Sequence, residues 1–360
     1  MSDGTHKKKK HGAQPPASAS FRRKRTALIV LCCILAVVLL VLVAATCAVE
    51  GLLGKIRRID GSQPTLSSDE IHNIENPTET RGDLETRDPS DITWNRSDLP
   101  HIGGDGIVNL LLIGQDRREG QGRARSDSMI LCTFNTKRKT LTMTSFMRDL
   151  YVEIPDYQDN RINAAYALGG MELLDATLMQ NFGIEVDGNV EVDFGEFEQI
   201  IDLLGGVDID LNADEAEYLS RRGNWDVSDT AYSWDLVEGT NHLTGEQALA
   251  YSRIRYIGRD DFERTSRQRR VLSALIDAYK NVDQAKMLSI LNQVLPMIST
   301  DLTNKEILGY AVDLWPLTQY TVVTQRIPAD DAYEGVYIRG MAVLVPDLEA
   351  NRKLLVDSLG

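Results

Sequence analysis

The eight residues IVNLLLIG, from Ile107 to Gly114, decide the fold. Six of the eight side chains are apolar, and the run stops at a glycine. A short apolar run bounded in this way is typical of a strand that is buried on both faces. Two more apolar runs follow at 127–134 (DSMILCTF) and 140–146 (TLTMTSF), separated by a basic turn at 137–139. The three runs together predict the centre of a sheet.

The rest of the chain alternates between strand and helix patterns. Further strands are predicted at 151–154, 190–193, 207–211 and 320–327, and helices at 163–181, 195–204, 243–252, 262–281, 283–295, 303–315 and 347–358. Strands that alternate with helices indicate a layered α/β domain. The pattern has no clear break and no internal repeat, so residues 106–360 are predicted to form one domain.

The N-terminal part predicts a membrane anchor. Residues 27–49 form a run of 23 uncharged, mostly apolar residues. As a helix with about 1.5 Å rise per residue, the run is roughly 35 Å long, enough to cross a bilayer. It is longer than the apolar part of a cleaved signal peptide, which favours a retained anchor. Eight basic residues precede it, so residues 1–26 are predicted to be a disordered cytoplasmic tail, with the body of the protein outside.

Charge and cysteine content exclude several classes of protein. The chain carries −14 in total; its first 26 residues carry +7, so the remainder carries −21. An acidic body repels the phosphate backbone, which argues against nucleic-acid binding. Three of the four cysteines lie in the predicted anchor and Cys132 lies in a predicted strand, so the outer part has no internal disulfide and no cysteine-based metal site. Residues 50–105 are polar and contain four prolines, which predicts an extracytoplasmic linker.

Two aspartates flank the point where the first predicted strand ends and the second begins. Asp116 is two residues beyond Gly114, and Asp127 opens the next strand. Ligands of α/β sheets commonly lie beyond the carboxyl ends of strands. Two carboxylates there could hold a hard cation such as Mg²⁺ together with substrate phosphates. The alternative is that each aspartate makes backbone hydrogen bonds in a turn.

A charged pair, Arg148 and Asp149, follows the third strand after a single methionine. One interpretation is a structural ion pair at the rim of the sheet. The other is a catalytic arginine that its neighbour holds in place. The sequence alone leaves both interpretations open.

The stretch YSRIRYIGRDDFERTSRQRR, residues 251–270, contains seven arginines in an otherwise acidic chain. The planar fork of arginine suits carboxylate or phosphate, so the stretch predicts an anionic partner. Arg253 and Arg255 would share a face if extended, and Arg264 and Gln268 share a helix face. The arginines at 259, 269 and 270 fit neither pair and are predicted to be solvated. The alternative for the whole stretch is a solvated helix face paired with acids.

Seven segments together resemble the LytR-CpsA-Psr family of bacterial cell-envelope proteins. In chain order they are NLLLIGQDRR (109–118), RARSDSMIL (123–131), TSFMRDLYVEIP (144–155), RINAAYALGG (161–170), VDFGEFEQIIDLLGGVDID (192–210), LTGEQALAYSRIR (243–255) and DFERTSRQ (261–268). The resemblance covers residues 107–280. No single segment decides it, but seven in order are specific.

The resemblance implies a phosphotransferase with a three-layer α/β/α fold, a central mixed sheet and an apolar pocket for a polyprenyl chain. Such enzymes transfer a glycopolymer from undecaprenyl pyrophosphate to peptidoglycan and leave a phosphodiester link. The polymer is teichoic acid, capsule or another wall polysaccharide, and the usual acceptor is the 6-hydroxyl of N-acetylmuramic acid. A single-pass protein of the cell membrane, with its C-terminal domain outside the cytoplasm, suits this role.

The resemblance also assigns roles to residues. Asp116 and Asp127 match the Mg²⁺ ligands of the family, with Mn²⁺ as an alternative ion. The pyrophosphate-binding set matches Arg148, Arg253, Arg255, Arg264 and Gln268. The predicted catalytic residues are Arg148, Asp116 and Asp149, and the group that takes the acceptor's proton stays open among Asp116, Asp149 and a metal-bound water.

Two residues depart from the family pattern. Met147 stands where proline is common, which predicts a looser turn before Arg148. Glu263 stands where glycine is frequent, which predicts a narrower or re-aimed site. Neither departure removes a charged group from the predicted site.

Two other functions use the same arginines. One is a non-catalytic, membrane-anchored regulator that binds polyanionic envelope lipids. The other is a pyrophosphatase that delivers the same phosphate to water. The pair Asp116 and Asp127 favours an enzyme, because a pure anion binder has no need of acids there.

Overall fold

A computed structural model of the chain describes residues 49–59, 66–76, 84–95, 97, 99–115, 126–220, 234–255, 257–258, 261–314 and 317–359, without the side chains of residues 284 and 285. The predicted tail and the predicted anchor, except for its last residue, lie outside these ranges, as do Asp116 and Arg259. Within the described ranges, no helix has both the length and the apolar character that crossing a membrane requires. The chain divides into two units, residues 1–52 and 53–360, and the sheet belongs to the second.

Among the described residues of the second unit, seven strands form the mixed sheet at its core. In spatial order they are β1 (Arg57–Arg58), β10 (Ser299–Thr300), β7 (Gly188–Asp193), β2 (Ile107–Gln115), β3 (Ser128–Asn135), β4 (Thr140–Phe146) and β11 (Thr321–Ile327). Strand β2 contains the run IVNLLLIG and pairs antiparallel with β3 and parallel with β7. Strand β4 pairs antiparallel with β3 and parallel with β11. The central strand that the sequence predicts is confirmed.

Helices cover both faces of this sheet. Leu111 and Ile113 of β2 pack in one apolar cluster with α2 (Ile162–Phe182) and α9 (Leu348–Leu359). Leu110 and Leu112, which point the other way along the strand, pack in a second cluster with α6 (Asp261–Lys280). Because both faces are buried, β2 lacks the alternation of a half-exposed strand and is apolar at nearly every position. The predicted α/β fold is confirmed.

The remaining elements surround the sheet. The helices are α1 (Ser68–Glu75), α3 (Phe194–Leu204), α4 (Ala213–Ser220), α5 (Gly245–Arg253), α7 (Gln284–Val294) and α8 (Asn304–Asp313). Three strand pairs lie outside the main sheet: β5 (Tyr151–Val152) with β6 (Asn160–Arg161), β8 (Val207–Leu211) with β9 (Gly239–Leu243), and β12 (Tyr333–Ile338) with β13 (Met341–Pro346). The sequence reading missed α4, β9 and the β12–β13 hairpin.

Local sequence features explain why the ends of α3 were predicted and why the β12–β13 hairpin was not. Helix α3 begins with a capping box between Asp193 and Glu196 and ends at Gly205, whose φ of 100° favours glycine. The β12–β13 turn places Arg339 at φ 48° and Gly340 at φ 78°. Two positive φ values are typical of the tightest hairpin turns, which asparagine or aspartate before glycine usually marks. Arginine before glycine is a weaker signal, so the sequence did not reveal the turn.

Parts of the predicted linker, residues 50–105, pack against the domain. Strand β1 extends the edge of the main sheet, and Ile71 and Ile74 of α1 pack on the core. The Trp94 ring stacks on Tyr151 with centroids 6.0 Å apart, and its Nε1–H donates to Asp159 at 2.7 Å. Apolar residues are too sparse in this polar segment to form a periodic pattern, so the sequence did not indicate these contacts.

The same segment meets the end of α2. Ile102 is 4% exposed, and its backbone N–H donates to the Gly183 carbonyl at 2.8 Å. Gly183 has φ 70°, and a Cβ at this position would lie 1.7 Å from the Pro100 carbonyl oxygen. The glycine that ends α2 therefore also lets the chain before β2 pass close to the helix.

A buried carboxyl group lies on α2, away from the ends of the central strands. The Asn189 Nδ2 amide donates to Asp175 and to Asp301, at 2.7 Å in both cases. Burial raises the pKa of Asp175 to about 7; the Asn189 hydrogen bond opposes the shift, and the charge of Asp301 adds to it. The neutral form of Asp175 is therefore the one that the fold favours.

Replacing Asp175 with asparagine is expected to stabilise the protein at alkaline pH only. The folded pKa lies above the unfolded one, so the stability that Asp175 contributes is full below pH ~4 and is lost as pH rises through about 7. At pH 8 the free energy of unfolding should rise by on the order of 2 kcal/mol in Asp175→Asn, with no gain near pH 4. Urea unfolding from about pH 4 to pH 8 measures the free energy of unfolding of both proteins. The exposed Asp357→Asn is the control, and an equal gain in both variants would contradict the assignment.

Candidate active site

The candidate site lies where β2, β3 and β4 meet the start of α6. The Asp127 N–H donates to the Gly114 carbonyl at 3.2 Å, which holds Asp127 beside the end of β2. Arg148 follows β4, and α6 contributes Asp261 and Arg264 from its first turn. Met147 is buried, and its N–H donates to the Ile327 carbonyl at 2.9 Å. A proline there would lack this N–H, so the bond fixes the turn that the sequence predicted to be looser.

Arg148 is the hub of the site. Its Nη1 lies 3.1 Å from Asp127 Oδ1, and its Nε lies 3.4 Å from Asp149 Oδ2 and 3.7 Å from Asp261 Oδ2. The side chain is 24% exposed. Burial acts to lower the pKa of Arg148, but the three carboxylates outweigh it and raise the pKa above its usual value. Arg148 is therefore a fixed cation whose N–H groups face acids that an anionic ligand could replace.

Arg264 is the second cation of the site, and it is buried. Its Nη2 donates to Asp261 Oδ2 at 2.9 Å and to the Asp127 carbonyl at 3.4 Å, and the side chain is 3% exposed. Its Nε has no hydrogen-bond partner in the described part of the chain. Burial lowers the pKa of Arg264; Asp261 opposes this shift, while the charges of Arg148 and Arg255 add to it. This repulsion between cations favours binding of an anion among them.

Asp149 lies between two arginines. Its Oδ1 is 3.3 Å from Nη1 of Arg161, and Arg148 contacts its other oxygen. Burial raises the pKa of Asp149, Arg148 and Arg161 oppose the shift, and Asp261 adds to it. Sequence reasoning missed both Arg161 and Asp261. The available signals were the first residue of RINAAYALGG and an aspartate three residues before Arg264.

An apolar cavity of about 300 Å³ lies beside this charged cluster. Its walls come from β2, β3, β7, α3, α5, α6 and the segment around α7, and include Leu112, Ile130, Val192, Phe194, Leu249 and Leu272. Gln268 also lines the cavity, one turn of α6 beyond Arg264, and its Oε1 accepts from the Ser128 hydroxyl at 3.1 Å. Gln268 and Ser128 therefore connect the apolar cavity to the charged residues.

The structure brings some of the predicted anion-binding residues together and separates others. Arg148 and Arg264 both contact Asp127, and Arg255 is close enough to lower the pKa of Arg264. Arg253 is the last residue of α5, and its guanidinium carbon lies 5.4 Å from the ring centroid of Phe194, at the wall of the cavity. Arg253 and Arg255 are therefore not two residues of one extended strand. The position of Asp116 falls outside the described residues.

One of the other arginines of α6 differs from the sequence prediction. Arg269 was predicted to be solvated, and this is wrong, since it is 8% exposed. Arg270 is exposed, as predicted, and donates to the Tyr251 hydroxyl at 2.6 Å. Arg267 is 1% exposed; its Nε lies 2.8 Å from Glu215 Oε1, and its Nη1 donates to the Ile254 carbonyl at 3.1 Å. Arg267 thus fixes the loop that carries Arg255.

Removal of Glu215 is expected to destabilise the fold strongly. Glu215→Leu leaves the Arg267 charge buried without its partner, and breaking such a pair typically costs about 3–5 kcal/mol. Chemical denaturation measures the loss. The double variant Glu215→Leu with Arg267→Met removes both charges and should recover most of the stability. A single variant as stable as the wild-type chain would contradict the pairing.

Comparison with known proteins identifies the family. Residues 70–355 match the model of the LytR_cpsA_psr family. The chain belongs to this family. It is 32% identical over 238 residues to the regulatory protein MsrR of Staphylococcus aureus, a match that covers 65% of this chain and 68% of MsrR.

Two further similarities concern TagT. The chain is 38% identical over 183 residues to the polyisoprenyl-teichoic acid–peptidoglycan teichoic acid transferase TagT of Bacillus subtilis, covering 50% of this chain and 55% of TagT. Among solved structures, it resembles the LytR-CPS2A-psr family protein YwtF (TagT) with bound octaprenyl pyrophosphate lipid. That match has a TM-score of 0.53 and 29% identity, and covers 71% of this chain and 92% of the other.

Of the two predicted metal ligands, Asp127 lies in the described part of the site and Asp116 lies outside it. Within the described ranges, no three side chains of histidine, cysteine, aspartate or glutamate are arranged to hold a metal ion. Asp127 is one of the two predicted ligands and is partly exposed. Its carboxylate is an oxygen donor of the kind that Mg²⁺ prefers, and Mg²⁺ needs only one or two carboxylates when phosphates complete its shell. The donor type at Asp127 thus fits the predicted ion.

Proposed function

We propose that this protein transfers a glycopolymer from a polyprenyl-pyrophosphate carrier, with undecaprenyl as the expected lipid, to peptidoglycan. The observation that carries the proposal is a pair of arginines, half-buried Arg148 and buried Arg264, next to an apolar cavity. A polyprenyl pyrophosphate has the same two parts, an anionic head and an apolar tail. The teichoic acid transferase named among the relatives supports this choice of reaction.

The arginines bind the pyrophosphate and the cavity takes the lipid. Arg148 and Arg264 contact Asp127, and Arg255 is close enough to lower the pKa of Arg264. Gln268 lines the cavity and Arg253 lies over Phe194 at its wall, where the tail would enter. Without a ligand, the carboxylate of Asp149 contacts the guanidinium of Arg148, and the carboxylate of Asp261 contacts that of Arg264. Phosphate oxygens that replace them keep the arginines in place, so little ordering is needed on binding.

The chemical step is an in-line displacement at the phosphorus that carries the polymer. The acceptor hydroxyl oxygen forms a bond to this phosphorus, the bond to the bridging oxygen breaks, and polyprenyl monophosphate leaves. Arg148 stabilises the negative charge on the transferred phosphate. Asp149 takes the hydroxyl proton; this role is supported by its raised pKa, which makes it a better base than an exposed carboxylate.

Mg²⁺ belongs to the proposal as a bound cofactor, held by Asp127 and, from the sequence prediction, Asp116. When bound, it neutralises phosphate charge and helps to orient the leaving oxygen. The residues of the chain perform the positioning and the proton transfer. The anchor predicted at 27–49 would place the site outside the cytoplasm, next to the lipid carrier.

A reconstituted reaction tests the proposal. The full chain in detergent is incubated with a lipid-linked glycopolymer, peptidoglycan and Mg²⁺, and the glycan is analysed for attached polymer. We expect covalent product that is lost in Asp116→Ala and on chelation with EDTA, while the exposed Arg138→Ala retains it. Binding of the lipid-linked glycopolymer without covalent product would favour the non-catalytic, membrane-anchored regulator. Free phosphate without attachment would indicate a pyrophosphatase.

A further inference from the structure

A second basic cluster lies on the opposite side of Arg148 from the apolar cavity. The Arg326 guanidinium carbon lies 4.6 Å from the ring centroid of Phe262, and the Phe262 and Tyr333 centroids are 5.4 Å apart with 32° between the rings. Both rings are partly exposed. Arg326 donates to the Pro328 carbonyl and to Asp330, and its side chain is 13% exposed. We call Arg269, Arg326, Phe262 and Tyr333 the outer cluster.

Within the outer cluster, Arg269 is the residue whose burial the contacts of the fold do not explain. It is 8% exposed, and its Nε and Nη1 have no hydrogen-bond partner among the described residues. Burial, and then the like charges of Arg326 and Arg270, lower its pKa to about 10. The charge of Glu263 opposes this shift, but it leaves two buried N–H groups of Arg269 without an acceptor in the part of the chain that the structure describes. Buried donors without an acceptor are costly, and a ligand that supplies the acceptor would complete the site.

A third polar group lies at the same place. The Ser145 hydroxyl is buried and has no hydrogen-bond partner within the described ranges. Ser145 of β4 is in direct register with Arg326 of β11. Buried polar groups in folded proteins are nearly always paired, so two unpaired groups near Arg326 indicate a missing anionic partner.

The outer cluster has a defined position relative to the proposed reaction. The apolar cavity lies over β7, β2 and β3, whereas Arg326 and Ser145 lie on β11 and β4, at the other end of the sheet. Arg148 follows β4 after Met147 and therefore lies between the apolar cavity and the outer cluster. In-line displacement requires the attacking oxygen to approach opposite the leaving group. Since the lipid phosphate leaves on the cavity side, the acceptor enters on the side of the outer cluster.

We propose that the outer cluster is the acceptor subsite and binds a glycan that carries a carboxylate. Arg269 and Arg326 form ion pairs with the carboxylate, the Ser145 hydroxyl donates to it, and Tyr333 packs against the apolar face of a sugar ring. The carboxylate belongs either to the sugar itself or to an attached peptide. This inference rests on the proposed function and names the second substrate of the same site.

Binding of glycans to the full chain in detergent, without donor, tests the subsite. The probes are muramic-acid-containing glycan strands with and without stem peptides, and a neutral chito-oligosaccharide of equal length. We expect at least one charged glycan to bind about tenfold more tightly than the neutral one, and Arg269→Met and Arg326→Met to remove the preference. Arg138→Met, which loses an exposed arginine, should retain it. Equal binding of all three glycans by the wild-type chain would overturn the proposal.

Transfer kinetics and stability separate a binding role from a structural one. In both variants the KM for the acceptor should rise about tenfold while the KM for the lipid-linked donor changes less than twofold. The Tm of Arg269→Met should not fall below that of the wild-type chain, because the variant removes a buried cation with two N–H groups that are unpaired within the described ranges. A lowered Tm with an unchanged acceptor KM would overturn the proposal. If the wild-type chain transfers nothing, the proposed function fails, and the binding comparison still decides the subsite.

Discussion

Replacing Arg148 with alanine is expected to reduce glycopolymer transfer by roughly 10³-fold or more. Arg148 faces three carboxylates, and in the proposed reaction it contacts the transferred phosphate. An arginine that neutralises transition-state charge contributes on this scale, and the loss should appear in kcat. Rates of polymer attachment at saturating donor and acceptor measure the effect.

The variant Arg148→Lys separates charge from geometry. Lysine keeps one positive charge but lacks the planar fork that reaches Asp127, Asp149 and Asp261 together. We expect it to recover only a small part of the rate. Thermal unfolding of both variants shows whether the three acids, left without Arg148, disturb the fold. A folded Arg148→Ala variant with more than a tenth of the wild-type rate would contradict the role of this residue.

Filling the apolar cavity is expected to block the lipid-linked donor. Leu249 of α5 lines the cavity and is partly exposed, so Leu249→Trp adds volume without forcing a fully buried side chain to move. Each buried carbon of the chain contributes about 0.8 kcal/mol, so excluding one five-carbon isoprene unit costs about 4 kcal/mol and should raise the donor KM roughly a thousandfold. Donors with full-length and shortened polyprenyl chains measure the effect.

Leu249→Ala is the matched control because it enlarges the cavity. It should leave the donor KM within a few-fold of the wild-type value, at a modest cost in stability. Short-chain donors should react equally with both variants. If Leu249→Trp handled the full-length lipid like the wild-type chain, the cavity would not be the site of the polyprenyl tail.

Local patterns in the sequence predicted the centre of the fold and much of the site. The run IVNLLLIG is apolar at both odd and even positions because β2 is buried on both faces, so the strand can be located from the sequence alone. Arg148 and Asp127 follow directly from strand ends. Arg264 and Gln268 follow from helical spacing, and the structure confirms that they share a face, since one contacts Asp127 and the other lines the adjoining cavity.

Contacts between distant parts of the chain were not predictable in the same way. Arg161 pairs with Asp149, twelve positions before it, and Asp261 approaches Arg148 from another element. Arg269 was assigned to solvent because it does not repeat the spacing of Arg264 and Gln268. In the fold, α6 is buried around much of its circumference, on β8, β3, β4 and β11, so the face of Arg269 is also covered. Burial of that breadth depends on tertiary packing and not on the pattern of α6.

The most direct measurement follows the phosphorus atom that links polymer and carrier. A donor labelled with ³²P in the phosphate next to the polymer is supplied to the full chain together with peptidoglycan and Mg²⁺. We expect the label to become part of a phosphodiester in the glycan, while the lipid is released as its monophosphate. Label recovered as inorganic phosphate or as polymer phosphate free in solution, with none in the glycan, would contradict the proposed transfer.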